Sequence, residues 1–82
     1  MKKTILNARR LLCPLPVIRV QNTVKNLDVG EILEVVCTDP GALNDIPTWC
    51  RINGHRVITS RSEHDEYIIT LEVCEGAVQP VR

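Results

Sequence analysis

Apolar side chains recur along the chain first with strand spacing and then with helix spacing. Residues 3–8 have an apolar centre and predict a short strand, and residues 14–27 predict a helix because apolar side chains return every three or four positions. Residues 31–38 alternate and predict a second strand. The apolar positions are Val17, Ile18, Val20, Val24 and Leu27 on the helix, and Leu33, Val35 and Cys37 on one strand face. Together these elements predict a β-α-β crossover unit with parallel strands.

A helix start signal follows the second strand. Asp39 can cap a helix with its carboxylate, and Pro40 suits the first helical position. We expect this second helix to bend at Pro47 and to end at Asn53-Gly54. In the first helix, Gly30 can take the positive φ that ends a helix.

Two further strands are predicted over residues 57–61 and 67–74, and the polar residues 62–66 between them predict a hairpin turn. The order βαβαββ predicts an α/β (α+β) two-layer sandwich, in which a four-stranded mixed sheet carries two helices on one face. A chain of 82 residues fits a single domain over residues 1–82. We expect its tail to be frayed from about residue 76.

With helices on one face only, the other face of the sheet is predicted to be open. It would carry Ile32, Val36 and Ile68 among polar neighbours. These side chains are either isolated surface hydrophobes, which are common, or part of a partner or dimer surface.

Charge is balanced overall but unevenly placed. Ten basic and ten acidic residues give a net charge of zero, which disfavours direct nucleic-acid binding. No apolar run approaches the ~18 residues of a membrane span, and the polar residues near the start do not suit a signal peptide. We therefore expect a cytoplasmic protein without membrane contact. The first quarter holds five basic residues and no acid, namely Lys2, Lys3, Arg9, Arg10 and Arg19.

The four cysteines are spaced too widely for a C-x-x-C pair or for a typical zinc site. We therefore expect free thiols, no metal and no cofactor. Cys37 and Cys50 are predicted to pack in the core, and Cys74 lies at a strand end. Surface or structural roles are expected for His55 and His64, although a Cys–His pair could form through the fold.

Cys13 is predicted to be the N-cap residue of the first helix. Pro14 would occupy the first helical position and Pro16 the third, so the amide of Leu15 would face the sulfur. The positive helix end favours a thiolate, and the upstream pair Arg9-Arg10 would lower the pKa of the thiol further. Leu11, Leu12 and Leu15 would make an apolar rim around Cys13 that suits the docking of a partner. The alternative is that Cys13 is a small buried hydrophobe.

A single activated thiolate limits the chemistry. Without a C-x-x-C partner, Cys13 cannot resolve a disulfide locally, which disfavours a dithiol oxidoreductase. No phosphate loop and no Ser/His/Asp set is visible. A group carried on sulfur, such as a persulfide, remains.

The segment Leu11-Leu12-Cys13-Pro14-Leu15-Pro16-Val17 resembles the Cys-Pro-x-Pro signature of the TusA/SirA family of sulfur carriers. The resemblance continues in the order that the family shows. It includes Gly30-Glu31, Thr38-Asp39-Pro40, Asp45-Ile46-Pro47 and Gly54-His55.

This resemblance implies the βαβαββ fold and makes Cys13 the persulfide site, shaped by Pro14 and Pro16. The implied donor is a cysteine desulfurase or a rhodanese-like protein. Sulfur would then pass to a downstream acceptor protein in transfer RNA thiolation, molybdenum cofactor assembly or sulfur oxidation.

Three departures from the family pattern lie beside the motif. Asn7-Ala8-Arg9-Arg10 replaces a frequent Asp-x-x-Gly, Leu12 stands where Arg is frequent, and Leu15 replaces an acidic or polar residue. These positions affect the identity of the partner. Two other functions stay open, a protein-interaction or regulatory adaptor and an RNA-binding module, and scarce aromatic residues disfavour the second.

Overall fold

The computed structural model describes residues 3–12 and 14–74. The predicted persulfide site Cys13 and the predicted frayed tail therefore lie outside the described residues. The elements are β1 (Lys3–Ala8), α1 (Leu15–Val24), β2 (Ile32–Cys37), α2 (Ala42–Asn53), β3 (Arg56–Glu63) and β4 (Glu66–Glu72).

The four strands form one mixed sheet in the order β1-β2-β4-β3. β1 and β2 are parallel, while β4 is antiparallel to both β2 and β3. This arrangement confirms the predicted fold class and the parallel β-α-β unit. β2 and β4 occupy the centre of the sheet, which explains why they supply most of the buried strand residues.

The core lies between the sheet and the two helices. Leu33, Val35 and Cys37 are fully buried on the helix-facing side of β2, as their alternation predicts. Val20 and Cys50 meet them from the helices and are also fully buried. The predicted packing roles of Cys37 and Cys50 are thus confirmed.

α1 begins one residue later than predicted and ends earlier. Pro14 is the N-cap, Leu15 the first helical residue and Pro16 the second. After Val24 the chain continues in tighter turns, in which the amide of Leu27 donates to the carbonyl of Val24 at 3.0 Å.

Gly30 does not end α1. It has a φ of 93° and belongs to the turn that leads into β2, where its amide donates to the carbonyl of Val73 at 2.8 Å. The positive φ was predicted correctly, but the role as a helix cap was wrong, because the chain leaves helical geometry several residues earlier.

The start of α2 also differs from the prediction. Gly41 is the N-cap, and its amide donates to the Asp39 carboxylate at 3.1 Å, so the carboxylate stabilises a turn before the helix. Pro40 lies in that turn and Pro47 lies within α2. Gly54 ends the helix in the left-handed conformation, with a φ of 83°, as predicted.

The hairpin between β3 and β4 is tighter than predicted. β3 extends to Glu63 and β4 begins at Glu66, so the turn contains only His64 and Asp65. Both have positive φ, at 48° and 67°. Two such residues form the type of turn whose twist matches the flanking strands. An irregularity between Val57 and Thr59 makes a bulge in β3.

The sheet face away from the helices is less open than predicted. Val36 and Ile68 are register partners there and are 5% and 7% exposed, so describing them as surface residues was wrong. Asn7 and Arg61 lie on either side of this pair, and the long aliphatic part of an arginine can cover apolar neighbours.

Candidate functional site

The ends of several elements meet at one end of the sheet, where the two parallel strands finish. The last residues of the two parallel strands, Ala8 and Cys37, are register neighbours, and Cys37 also pairs with Tyr67 at the start of β4. α1 and α2 each follow one of the parallel strands, so both helices begin at this end of the sheet. Helix N-termini carry partial positive charge, and this end of the sheet therefore favours anions.

Backbone and side-chain hydrogen bonds hold the loop that leaves β1. The amide of Arg9 donates to Oδ1 of Asn7 at 3.0 Å, and the amide of Arg10 donates to Oγ1 of Thr38 at 2.8 Å. Arg10 has a φ of 66°, a conformation that residues with a Cβ rarely adopt. The loop is thus fixed to the end of β2 immediately before the Cys-Pro-x-Pro motif.

Arg9 is bound by a carboxylate at the start of β4, at the same end of the sheet. Its Nε donates to Oε2 of Glu66 and its Nη2 donates to Oε1 of the same residue at 3.2 Å. The hydrogen bond raises the pKa of Arg9, and the same bond lowers the pKa of the Glu66 carboxyl. Glu66 therefore compensates the charge of Arg9, whereas Arg10 forms no ion pair with any described residue.

Two prolines restrict the hydrogen bonds at the start of α1. Pro14 and Pro16 have no amide hydrogen, and the amide of Leu15 donates to the carbonyl of Leu12 at 2.8 Å. The Leu15 amide, which was predicted to face the sulfur of Cys13, is thus used by a turn that ends at Leu15, and the sulfur itself lies outside the described residues. The same bond brings Leu12 and Leu15 close together.

The residues around position 13 reach the surface. Leu12 is 71% exposed, Leu15 is 47% exposed and Pro14 is also exposed. Pro16 is fully buried and joins the start of α1 to the core. Of the predicted apolar rim, Leu12 and Leu15 are exposed, whereas Leu11 is partly buried and packs against the core, so its place in the rim was wrong. Cys13 itself lies outside the described residues.

Thr38 and Glu66 were not predicted as parts of this site. Thr38 follows β2 directly, so the parallel pairing of β1 and β2 was a signal that it would lie beside the loop after β1. Glu66 is 57 positions from Arg9, and no local pattern connects them.

Two of the other cysteines are unreactive thiols. Burial raises the pKa of Cys37 to about 11, with a smaller contribution from Asp39. Burial likewise raises the pKa of Cys50 to about 12. The Cys37 thiol also donates to the carbonyl of Tyr67 at 3.3 Å. Both groups are therefore protonated at neutral pH and enclosed in the core.

His55 has a structural role at the opposite end of the sheet. Its ring stacks on Trp49 with a centroid distance of 5.2 Å, and its Nδ1 accepts the amide of Cys74 at 3.3 Å. Burial lowers the pKa of His55, which favours the neutral ring. His64 lies in the exposed turn of the hairpin.

Over residues 3–12 and 14–74 there is no group of three or more His, Cys, Asp and Glu side chains that could hold a metal ion. Neither helix in this part of the chain has the length and apolar character that crossing a membrane requires.

Comparisons with known proteins agree on one family. The family described as "Sulfurtransferase TusA" matches residues 4–73. The putative sulfur carrier protein YrkI of Bacillus subtilis is 39% identical over 61 residues, which cover 74% of this chain and 81% of YrkI. The sulfur carrier protein TusA of Pseudomonas putida is 39% identical over 64 residues, covering 78% of this chain and 80% of that protein.

A solved structure supports the fold. The SirA-like protein of Desulfitobacterium hafniense superposes with a TM-score of 0.76 at 18% sequence identity, covering 88% of this chain and 99% of that one. The family match spans the Cys-Pro-x-Pro segment and nearly all the described elements. As its sequence motifs predicted, the chain belongs to the TusA family of sulfurtransferases.

Proposed function

We propose that this chain is a sulfur carrier that accepts sulfur as a persulfide on Cys13 and passes it to an acceptor protein. The observation that carries the proposal is the match to the TusA family across the Cys13-Pro14-Leu15-Pro16 segment. The chemistry of the other thiols supports it, because Cys37 and Cys50 are buried and have raised pKa values.

The transfer consists of two displacements at sulfur. The Cys13 thiolate attacks the terminal sulfur of a donor persulfide, a new S–S bond forms, and the donor leaves as a thiolate when its own S–S bond breaks. An acceptor thiolate then attacks the terminal sulfur on Cys13, and the Cys13 thiolate leaves. Each step exchanges one S–S bond for another, so no external oxidant or reductant is needed.

The neighbouring residues have distinct parts in this proposal. Pro16 joins the start of α1 to the core, and Pro14 is the N-cap, whose ring restricts the backbone where the helix begins. Arg10 supplies a positive charge that no described carboxylate compensates, and that charge favours the thiolate and the persulfide anion. Arg9 acts through its ion pair with Glu66, which holds the loop in place.

A carrier needs one protein that supplies sulfur and another that removes it. We propose a cysteine desulfurase or a rhodanese-like protein as the donor. The acceptor would belong to transfer RNA thiolation, molybdenum cofactor assembly or sulfur oxidation. We further propose that residues 1–82 act as one cytoplasmic domain that binds proteins and not nucleic acid.

The experiment that tests the chemistry is intact-mass measurement after incubation with a cysteine desulfurase, cysteine and pyridoxal phosphate. We expect the wild-type chain to gain one sulfur atom that reductant removes. Cys13→Ser should gain none, and Cys74→Ser, which changes a half-buried thiol elsewhere, should load as wild type does. Loading of Cys13→Ser to the wild-type level would contradict the assignment.

An adaptor function is the second candidate, and the exposed side chains of Leu12 and Leu15 favour it. An adaptor would bind a partner through this rim without accepting sulfur. Its Cys13 thiol would react with iodoacetamide at the rate of free cysteine at neutral pH, whereas a carrier thiol with a lowered pKa would react faster.

A further inference from the structure

We propose that Thr38 is a positioning residue for the sulfur chemistry, because its hydroxyl oxygen holds the strained loop in which Arg10 precedes position 13. The proposal rests on the proposed function, in which the charge of Arg10 favours the Cys13 thiolate. It adds a residue on another strand that acts on the thiol through Arg10.

The hydrogen bond of Thr38 ties the loop to the centre of the sheet. The amide of Arg10 donates to Oγ1 of Thr38 at 2.8 Å. Thr38 is half-buried and directly follows Cys37, the last residue of β2, and β2 is paired with β1 on one side and with β4 on the other. A β-branched side chain has few rotamers, so the acceptor oxygen is held in place by a central strand.

The neighbouring amide bonds of the loop are local. The amide of Arg9 donates to Oδ1 of Asn7 at 3.0 Å, and the amide of Leu11 donates to the carbonyl of Ala8 at 3.4 Å. Both acceptors belong to β1, the strand that the loop leaves. Among these three amide bonds of the described loop, the one to Thr38 therefore ties the backbone before position 13 to a different strand.

The backbone of Arg10 needs such an attachment. Its φ is 66°, and a residue with a Cβ keeps such an angle only where the surrounding structure holds it there. Relaxation to the common helical φ would rotate the chain by about 130° around the N–Cα bond of Arg10. That rotation would redirect the guanidinium relative to position 13.

The charge that would move is uncompensated. Arg10 forms no ion pair with any residue in the described ranges, and residues 1–27 contain no Asp or Glu. A positive charge stabilises an anion only over a short distance in water, so its effect depends on where it is held. Thr38 thus controls the position of this charge, while Arg10 supplies it.

The test is the pH profile for alkylation of Cys13 by iodoacetamide, followed by peptide mapping so that Cys74 is counted separately. Thr38→Val removes the acceptor oxygen and keeps the shape of the side chain, and Thr38→Ser keeps the oxygen. Thr48→Val is the matched control. The half-buried Thr48 donates its hydroxyl to the carbonyl of Asn44 within α2, also at 2.8 Å, so this variant loses a hydrogen bond of the same length elsewhere.

We expect Thr38→Val to move the midpoint of the profile to higher pH and to lower the alkylation rate at pH 6 by roughly threefold, the order expected for one nearby charge screened by water. Thr38→Ser should restore the wild-type midpoint, and Thr48→Val should keep it. In Arg10→Ala, which already lacks the guanidinium, adding Thr38→Val should have no further effect, since both changes remove the same interaction.

The other outcomes overturn one proposal or the other. An unchanged midpoint in Thr38→Val, or an equal shift in Thr48→Val, would refute the positioning role, and additive effects in Arg10→Ala would show that Thr38 does not act through Arg10. A wild-type midpoint in Arg10→Ala alone would refute the role of its charge and the present proposal with it. A wild-type chain that gains no sulfur from a desulfurase or a rhodanese would contradict the carrier function, while the pH profiles would still decide the role of Thr38.

Discussion

Arg10 is held at a φ of 66° in the loop before the Cys-Pro-x-Pro motif, and Arg10→Gly is expected to stabilise the protein. The left-handed conformation costs an L-residue about 1–2 kcal/mol, and glycine avoids that cost. Glycine also gains freedom in the unfolded chain, which opposes folding by about 0.4–1 kcal/mol. The middle of each range leaves a net gain of about 0.8 kcal/mol in the free energy of unfolding.

Urea unfolding followed by the fluorescence of Trp49, the single tryptophan, measures this effect. With an m-value of about 1 kcal/mol/M, the midpoint should rise by about 0.8 M. Arg10→Ala is the matched control, because it removes the same guanidinium but keeps a Cβ at the strained position. We expect its stability to lie within about 0.5 kcal/mol of wild type.

The comparison of the two variants decides the outcome. If Arg10→Gly is no more stable than Arg10→Ala, the reasoning from backbone strain is wrong. Thr38→Val provides a second check on the same loop, since it removes the oxygen that accepts the Arg10 amide at 2.8 Å. The loss of that bond should cost about 1 kcal/mol.

Three further predictions concern the core, the buried thiols and the ion pair of the loop. Leu33→Ala, at a fully buried position of β2, should lower the free energy of unfolding by about 2–5 kcal/mol in urea titrations. Iodoacetamide at pH 8 should leave Cys37 and Cys50 unmodified in the folded protein and label them in urea, because their pKa values are about 11 and 12; peptide mapping that finds them labelled without urea would contradict their enclosure. The pKa of Glu66 is lowered in the folded state by its hydrogen bond with Arg9. Its contribution to stability is therefore present above its unfolded pKa of about 4.3 and is lost as pH falls through the folded value. Glu66→Gln should accordingly destabilise the protein at pH 7 and by less at pH 3.

The fold could be predicted from the sequence because the period of the apolar residues differs between strands and helices. The alternation of Leu33, Val35 and Cys37 placed one face of β2 in the core, and the structure buries all three. The helical spacing through Val20 and Val24 likewise indicated the buried side of α1. A prediction from such a pattern depends only on residues close together in the sequence and on the geometry of a single strand or helix.

The helix starts could not be placed to the residue, because local hydrogen bonds compete with helical ones. The amide of Leu15 bonds to the carbonyl of Leu12, which delays α1 by one residue. The amide of Gly41 bonds to the carboxylate of Asp39, which delays α2. In both cases a proline between donor and acceptor also suits the turn, so the sequence is compatible with either start.

The details of the site depend on contacts between distant residues. The ion pair of Arg9 with Glu66 forms only because β4 lies beside β2, an order that the pattern of elements does not determine. The turn at His64-Asp65 contains no glycine, so its two positive φ angles had only a weak signal in the sequence, namely that His and Asp adopt this conformation more often than most residues with a Cβ. The burial of Val36 and Ile68 similarly follows from strand pairing across the sheet.

The bulge at Ile58 in β3 affects how the sheet meets other chains. β3 is one of the two outer strands within the described part of the chain, and the extra residue between Val57 and Thr59 interrupts its regular hydrogen-bond pattern. Irregular outer strands resist pairing with strands of other molecules. β1 is the other outer strand, with six residues in unbroken register and Ile5 64% exposed. If folded copies associate by strand addition at high concentration, they should therefore join through β1, and a charged residue at position 5 should suppress that association.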